Sequence, residues 1–261
     1  MIDIHNHVLY GLDDGAQDLE TSIAMARAAI ENGITHLVCS PHANDDYPFK
    51  PEVIAERIAE LRDSIGDELT LGLGCDMHLS YDNIDDQFHN PTKYTINGKQ
   101  YLLIEFPSLF IPQQISDSIY RMCAMGVVPI ITHPERNPVL VENPERMVPW
   151  LRSGCLIQLT AGSILGEFGK HSEAACRSLL EKNWVDIVSS DAHNVTSRPF
   201  CMQQAHARIE QLYGVETADR LCIHNPHAVF YGEATPPRPK SRGLREDAPP
   251  KGLLGRFFSH S

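Results

Sequence analysis

Short apolar runs alternate along most of the chain with amphipathic segments of helical periodicity, and this alternation limits the possible folds more than any other feature. Seven apolar runs lie at about 2–5, 34–40, 69–75, 101–105, 127–132, 155–160 and 185–190. Between the first two, apolar residues recur at helical spacing from Leu19 to Ile30, and Gly33 follows where a helix would end. Repeated strand–helix units of this kind predict a parallel sheet covered by helices.

One segment departs from this alternation. Residues 77–100 form a polar insertion, and within it Asn97-Gly98 lies between two short apolar runs at 94–96 and 101–103. Asn-Gly is a preferred dipeptide in the two-residue turns that join antiparallel strands. We therefore expect a tight hairpin at this point.

The composition changes near residue 232. From 233 to 261 the chain is rich in Pro, Lys and Arg and has few apolar residues, and such a segment cannot bury enough apolar surface to fold. We predict one barrel domain over 1–232 and a disordered tail over 233–261, since α/β barrels often have about this length as a single domain. The apolar stretch 253–258 suits a docking peptide, a weak membrane-surface anchor or a frayed terminus.

Charge and cysteine content exclude several classes of protein. The formal net charge of −12 argues against nucleic acid as a partner, because backbone binders concentrate Lys and Arg. The chain has no basic leader and no apolar run of about 18 residues, so we expect a cytoplasmic protein without a transmembrane segment. The seven cysteines are widely spaced without a CxxC pair, which indicates reduced thiols. None opens a glycine-rich phosphate loop, so we do not expect a cysteine nucleophile.

Histidine and carboxylate residues end or follow six of the seven apolar runs. Working residues of β/α barrels lie at these carboxyl ends of the strands. The candidates are His5, His7, His42, Asp76, Glu105, His133, Asp191 and His193. Asp14, in an Asp-Asp-Gly loop, is a ninth candidate if that loop folds back over the barrel mouth; the alternative is a simple Asx turn before the first helix.

The spacing of these residues favours metal binding. His5 and His7 are two positions apart in an extended segment, so both imidazoles point to one side, and Asp191 and His193 repeat this spacing. Glu105 ends an apolar run, where burying a carboxylate is costly unless a cation or a hydrogen-bond network compensates. Any one histidine has an ordinary structural explanation, but the whole set exceeds what one ion can use. We predict two or three metal ions.

Arg136 and Arg198 lie a few residues beyond ligand candidates, where guanidinium groups could bind phosphate oxygens bidentately. The alternative is a salt bridge, for instance with Glu135 or Asp186. The leaving oxygen also needs a proton, a mild demand for a phenol with a pKa of about 10, which His42 or a metal-bound water could meet. We predict a metal-dependent phosphoester hydrolase whose catalytic residues are Arg136, Arg198, His42 and Asp191.

Taken together, these motifs resemble the polymerase-and-histidinol-phosphatase (PHP) superfamily, and more narrowly the bacterial PHP-type protein-tyrosine phosphatases of capsule and exopolysaccharide loci. The resemblance spans roughly residues 1–230. It is carried by His5-x-His7, Asp14-Gly15, Ser40-Pro41-His42, Asp76, Leu103-Ile104-Glu105-Phe106-Pro107, His133-Pro134-Glu135-Arg136 and Ser190-Asp191-Ala192-His193.

The resemblance implies a distorted (β/α)7 TIM-like barrel and a trinuclear centre of Mn, Fe or Zn, with Mn favoured. It also implies that the substrate is the phosphotyrosine-bearing C-terminal tail of a membrane tyrosine autokinase that controls polysaccharide export. By the family pattern, one metal is held by His5, His7, Asp76 and Asp191, a second by Asp76, Glu105 and His133, and a third by Asp14, His42 and His193. The family usually has Glu where this chain has the shorter Asp76, which puts its bridging role in doubt. Asp13 is an alternative to Asp14, although the residue before Gly is the usual ligand.

Three other functions compete with this one. A PHP phosphatase could act on a small metabolite such as histidinol phosphate. A metal-dependent amidohydrolase also uses an HxH-bearing barrel, but normally lacks two arginines for phosphate. A non-enzymatic module could bind phosphotyrosine, although it would gain little from so many ligands. The sequence leaves the oligomeric state open.

Overall fold

The computed structural model describes residues 1–244 of the chain, and its centre is a barrel of parallel strands. The strands are β1 (Ile2–Asp3), β2 (His36–Cys39), β3 (His42–Ala43), β4 (Thr70–Leu73), β5 (Asp76–His78), β6 (Tyr101–Glu105), β7 (Val128–Thr132), β8 (Leu156–Thr160) and β9 (Ile187–Ser189). They fall on or directly beyond the seven predicted apolar runs. The runs at 34–40 and 69–75 each contain one strand, β2 and β4, and a second short strand, β3 and β5, follows each of them.

Strand pairing closes the barrel. The order is β1-β2-β4 in one sheet and β3-β5-β6-β7-β8-β9 in the other, and all pairs are parallel. Because β3 continues the path of β2 and β5 that of β4, the nine strands occupy seven barrel positions. A bridge between Asn6 and Ala192 joins the segments after β1 and β9, where Asp191 N donates to His5 O at 2.8 Å. The predicted (β/α)7 barrel is confirmed.

Helices cover the outside of this barrel. They are α1 (Leu19–Glu31), α2 (Pro51–Ile65), α3 (Tyr81–His89), α4 (Gln114–Ala124), α5 (Pro138–Glu142), α6 (Val148–Arg152), α7 (Ala161–Ile164), α8 (Gly169–Glu181), α9 (Met202–Tyr213), α10 (Val215–Asp219) and α11 (Asn225–Tyr231). Single turns of 3-10 helix lie at Gly66–Glu68, Ile96–Gly98, Pro134–Arg136 and Pro144–Met147, and a π-helical turn at Arg220–His224. Within residues 1–244, no helix combines the length and the apolarity needed to cross a bilayer.

Alternation along the strands separates two apolar regions. Leu102 and Ile104 of β6 point outward into the large cluster beneath the helices, whereas Leu103 points inward. The inner cluster fills the amino end of the barrel, and Val229 and Phe230 of α11 belong to it. The next inward positions toward the carboxyl ends are polar, so the barrel is closed by apolar packing below and is polar at its mouth.

The predicted hairpin at Asn97-Gly98 is wrong. Asn97 and Gly98 do adopt left-handed φ values of 53° and 65°, as Asn-Gly turns require, but residues 94–96 form no strand. Both edges of β6 are already occupied by the parallel strands β5 and β7. The Asn97 amide instead accepts a hydrogen bond from Leu73 N and donates one to Phe230 O, both at 2.9 Å, and so links β4 to α11.

Residues 233–244 lack regular secondary structure, yet they bond to the base of the barrel. The Arg238 guanidinium donates to the buried Asp186 carboxylate, with Nε 2.9 Å from Oδ1, and Trp184 Nε1 donates to Arg242 O at 3.0 Å. The low apolar content of this segment predicts disorder from residue 233. Composition alone does not show that Arg238 pairs with the buried Asp186 carboxylate. The remainder of the predicted tail, including 253–258, lies outside the described residues.

Candidate metal centre

All nine predicted ligand residues lie together at the carboxyl ends of the strands. Their ligand atoms fall into four overlapping groups, and within each group these atoms lie within 4.8 Å of one another. The groups are His5, His7 and Asp191; His5, Asp76 and His133; His42, Asp76 and Glu105; and His7, Asp14, His42 and His193. Closure of the barrel brings them together, because it places the segment after β9 beside the segment after β1.

The first group surrounds Asp191. Its Oδ1 lies 3.6 Å from His5 Nε2, 3.4 Å from His7 Nε2 and 3.6 Å from His193 Nδ1. These separations are too long for hydrogen bonds. Two ligands bound at about 2.1 Å to one tetrahedral ion lie about 3.4 Å apart, which matches the observed spacing.

The middle groups share Asp76. Its Oδ2 lies 3.6 Å from His5 Nε2, 3.5 Å from His42 Nδ1 and 3.9 Å from His133 Nε2. Glu105 faces the same two outer histidines, at 3.8 Å from His133 and 3.7 Å from His42. One oxygen of Asp76 thus faces three histidines from two groups, although its side chain is shorter than the usual Glu.

The two acidic residues before Gly15 take different positions. Asp14 Oδ1 lies 3.5 Å from His42 Nε2 and 3.4 Å from His193 Nε2. Asp13 lies behind His7, with Oδ2 2.6 Å from His7 Nδ1, and it also accepts from Gly15 N at 2.9 Å. Gly15 is required for close approach, since a Cβ there would lie 2.2 Å from His7 O.

Five atoms of this cluster are buried without a hydrogen-bond partner among residues 1–244: His5 Nε2, His7 Nε2, His42 Nδ1, Asp76 Oδ2 and His193 Nε2. Buried polar atoms are ordinarily paired, because desolvating them without a partner is costly. All five face other ligand atoms at coordination spacing. The residues therefore fit metal ions, which would satisfy every one of these atoms.

The ionisation of the cluster follows from burial and from crowded charge. Burial lowers the pKa of His5 to about 4, so this imidazole is neutral at pH 7. Burial and the charge of His7 lower the pKa of His193 to about 2. Burial and the neighbouring Asp76 carboxylate raise the pKa of Glu105. Burial alone would lower the pKa of His7, but its ion pair with Asp13 raises that pKa to about 10. Crowded carboxylates beside the neutral imidazoles of His5 and His193 are an arrangement that cations stabilise.

Two supporting residues were not predicted from the sequence. Gln158 Oε1 lies 2.9 Å from His5 Nδ1, and Thr132 Oγ1 donates to Asp76 Oδ1 at 3.1 Å. Such partners fix the orientation of ligand side chains. Their signal in the sequence is that each is a polar residue in an otherwise apolar run, at a position that points inward.

Two ligand candidates have strained backbones. His133 and Asp191 have left-handed φ values of 33° and 53°. A non-glycine residue in such a region costs about 1–3 kcal/mol and persists where the surrounding structure holds it. In both cases the residue follows a strand end and turns its side chain toward the cluster.

The two arginines converge on the same carboxylate. Arg198 Nη2 donates to Asp191 Oδ2 at 2.7 Å, and Arg136 Nη1 donates to the same oxygen. Both guanidinium groups lie over the Phe168 ring, a contact that the sequence did not predict, with Cζ at 4.3 Å for Arg136 and 5.9 Å for Arg198. Their salt-bridge partner is thus Asp191, whereas Glu135 accepts from Thr160 N and Asp186 pairs with Arg238. Asp191 joins the arginines to the histidine cluster through its two oxygens.

The fold and the site define a class of protein: closed parallel β/α barrels with several histidine and carboxylate ligands gathered at the mouth, an arrangement typical of metal-dependent hydrolases. Within this class the chain belongs to the family described as capsular polysaccharide synthesis, CpsB/CapC, whose model matches residues 1–231. The family resemblance predicted from the motifs is confirmed.

Relatives of known function support the same assignment. The chain is 36% identical to the tyrosine-protein phosphatase YwqE of Bacillus subtilis, over 93% of this chain and 97% of the relative. It is 30% identical to the tyrosine-protein phosphatase CpsB of Streptococcus pneumoniae, over 88% of this chain and 98% of the relative.

Solved structures of similar fold support the family assignment. Structures of YwqE and CpsB are described as those of unique metal-dependent tyrosine phosphatases, and a chain from that work matches with a TM-score of 0.86 at 32% identity, covering 93% of this chain and 98% of that one. An organophosphorus hydrolase mutant matches with a TM-score of 0.56 at 14% identity, covering 87% of this chain and 91% of that one. The second likeness shows the barrel fold alone.

Proposed function

We propose that this chain is a metal-dependent protein-tyrosine phosphatase, a phosphoric monoester hydrolase like its named relatives. One observation carries the proposal: buried, unpartnered histidine and carboxylate atoms at coordination spacing lie beside two arginines that share Asp191. The histidines and carboxylates suit cations, and the guanidinium groups suit a phosphate. The two together suit phosphoester hydrolysis better than amide hydrolysis.

We assign the ligands to three sites that share residues. The first is built from His5, His7 and Asp191 with Asp76, the second from Asp76, Glu105 and His133, and the third from Asp14, His42 and His193. Two to three ions of Mn, Fe or Zn, with Mn favoured, would activate water at neutral pH and neutralise phosphate charge when bound.

The arginines bind and orient the phosphoryl group in this proposal. Asp191 Oδ2 engages one nitrogen of each guanidinium, which leaves further N–H groups for phosphate oxygens. Arg198 Nε is buried and has no partner among the described residues, so it is one such donor. The Phe168 ring contacts both guanidinium groups and limits their movement.

His42 serves two metal sites in the proposal. Its Nε2 faces Asp14, whereas its Nδ1 faces Asp76 and Glu105. We assign both nitrogens to metal coordination, each in a different site, and a metal-bound water would supply the proton for the leaving phenolate oxygen. A phenol has a pKa of about 10, so a weak acid is sufficient for this step.

We further propose that the substrate is the phosphotyrosine-bearing tail of a membrane tyrosine autokinase and that the reaction takes place in the cytoplasm. The family description, capsular polysaccharide synthesis, supports the substrate. The open mouth supports a protein substrate, since the Asp14 side chain is 52% exposed. All seven cysteines are free thiols, as expected in a reducing compartment.

The test combines metal analysis with phosphatase assays. We expect the purified protein to contain bound metal, and chelation or His133→Ala to abolish turnover of para-nitrophenyl phosphate and of a phosphotyrosine peptide. The matched control is His89→Ala, which removes an exposed histidine outside the cluster and should leave turnover unchanged. Circular dichroism should show that His133→Ala is folded.

Two results would overturn the proposal. Full activity in protein shown by analysis to be metal-free would exclude the metal-dependent mechanism. Turnover of histidinol phosphate with a kcat/KM well above that of phosphotyrosine peptides would assign the small-molecule function instead. For an amidohydrolase, Arg136→Ala should leave hydrolysis of non-phosphorylated substrates intact.

A further inference from the structure

A groove of about 570 Å3 opens beside the metal centre, between α3 and the loop that follows β6. Its walls include Leu79, Tyr81 and Phe88 on one side and Pro107, Phe110 and Arg121 on the other. Most of the lining is apolar, with aromatic and proline side chains among it, which is typical of surfaces that bind extended peptides.

Large apolar side chains are unusually exposed here. Of the lining residues, Tyr81 is 83% exposed and Phe110 68%, and Leu109, which precedes Phe110 in the chain without lining the groove, is 94% exposed. Residues 106–113, which include two of them, contain no charged residue in a chain of net charge −12. Adjacent exposed apolar side chains on a soluble domain mark a contact surface.

One end of the groove lies close to the metal centre. Leu79 N donates to Glu105 O at 2.9 Å, so the inner end of the groove lies at the strand end that carries this ligand candidate. Pro107 follows Glu105 by two residues, and Leu79 follows Asp76 by three. A peptide in extended conformation covers about 3.3 Å per residue, so a few residues beside a tyrosine held at the centre would enter the groove.

Two charged side chains line the groove, Asp85 and Arg121. Asp85 lies 3.6 Å from His89 Nδ1, so Arg121 is the residue that indicates the kind of peptide. The guanidinium of Arg121 stacks on the Phe88 ring, with Cζ 3.8 Å from the ring centre. No carboxylate of residues 1–244 lies within ion-pair distance of Arg121. An exposed cation without a carboxylate partner, next to apolar walls, complements an acidic side chain on a mainly apolar peptide.

We propose that this groove binds the residues next to the phosphotyrosine of a protein substrate, and that it selects apolar or aromatic neighbours with an acidic residue farther along. Tyr81, Leu109 and Phe110 supply the apolar contacts and Arg121 pairs with the acidic residue. This inference rests on the proposed phosphatase function and names the class of substrate that the centre receives.

The experiment compares kcat/KM for a small substrate and for two phosphotyrosine peptides. The small substrate is para-nitrophenyl phosphate. One peptide has Leu and Phe beside the phosphotyrosine and a Glu toward one end, and the other has Ser at all these positions. The variants are Phe110→Asp and Leu109→Asp, and the matched control is Leu212→Asp, which makes the same change at an exposed position on α9.

We expect wild type to prefer the apolar peptide. Phe110→Asp and Leu109→Asp should each lower kcat/KM for that peptide about tenfold, since covering a large apolar side chain is worth at least this factor. Both variants should hydrolyse para-nitrophenyl phosphate at the wild-type rate, and Leu212→Asp should match wild type throughout. Arg121→Gln should reduce the preference for a Glu-containing over a Gln-containing version of the apolar peptide.

Each outcome separates the two proposals. Unchanged peptide turnover in Phe110→Asp and Leu109→Asp, with active wild type, overturns the groove assignment and leaves the phosphatase function standing. Equal loss for both peptides and for para-nitrophenyl phosphate also overturns it, because the damage then lies in the centre. Wild type that hydrolyses para-nitrophenyl phosphate but neither peptide overturns both the protein-phosphatase function and the groove.

Discussion

Gln158→Leu should weaken metal binding while leaving the fold nearly as stable as before. Gln158 Oε1 lies 2.9 Å from His5 Nδ1, inside the barrel and out of contact with solvent. His5 is neutral at pH 7 because burial lowers its pKa to about 4. A neutral imidazole carries one proton, and the Gln158 oxygen holds that proton on Nδ1, which leaves Nε2 as the ligand. Leucine has similar size but cannot accept this hydrogen bond.

The structure predicts a small change in the free energy of unfolding and a large change in metal affinity. In the metal-free variant, the unpaired Nδ1–H of His5 costs about 1–3 kcal/mol. The substitution also removes Gln158 Nε2, a buried amide nitrogen that has no partner among the described residues, and this offsets part of the cost. We therefore expect the free energy of unfolding to fall by at most about 1–2 kcal/mol. The orientation of His5 is lost, and removing such a partner typically weakens metal affinity about 10–100-fold.

The assay is calorimetric titration of metal-stripped protein with Mn²⁺, beside urea unfolding of the same samples. One class of site, the one built on His5, should weaken by about 10–100-fold, and phosphatase activity should recover as Mn²⁺ is raised. Gln203→Leu, the same change at an exposed position on α9, is the control. If Mn²⁺ binds the variant within about twofold of wild type, the outer hydrogen bond does not orient His5 and the reasoning is refuted.

Three further predictions concern other parts of the molecule. Burial raises the pKa of Asp3 to about 6. The protonated Asp3 therefore contributes fully to the free energy of unfolding below about pH 4, and this contribution is lost as pH rises to 6. In urea unfolding of metal-free protein, Asp3→Asn should remove this decline of about 3 kcal/mol in the free energy of unfolding. Arg238→Ala leaves the buried Asp186 without its partner and should lower the free energy of unfolding by about 3 kcal/mol with kcat unchanged, whereas no loss would show that residues 233–244 are dispensable. Gly15→Ala places a Cβ 2.2 Å from His7 O, so Mn²⁺-dependent activity should fall, and wild-type activity would show that the loop can move without disturbing His7.

Local periodicity was sufficient to predict the repeated strand–helix units and their parallel sheet, whereas the (β/α)7 barrel was implied by the family resemblance. Apolar runs such as Leu102–Ile104 and the amphipathic segment of α1 reflect burial on one or both faces, and that pattern is legible in a single stretch of chain. Pairing is not local, and the hairpin shows the limit. Asn97-Gly98 does form the left-handed turn, but the neighbours of β6 come from β5 and β7.

The candidate ligands were predictable for a related reason. In a parallel barrel every strand delivers its carboxyl end to the same mouth, so residues that follow the strands must converge, whatever their separation along the chain. His5, Glu105 and His133 illustrate this. The separation of Asp13 from Asp14 was not predictable, because both lie in one loop and only its path decides which carboxylate faces His42 and which lies behind His7.

The sequence by itself determined the alternating elements, the order of the ligand candidates and their common position at the mouth, because these depend on short-range patterns. Only the tertiary structure decided the partners that hold those side chains: Gln158 on His5 across 153 residues of sequence, Thr132 on Asp76, and Arg136 with Arg198 on Asp191. The physical reason is that a hydrogen bond or ion pair requires a few ångströms of proximity and a fixed orientation. Closure of the barrel supplies both, and no local pattern encodes them.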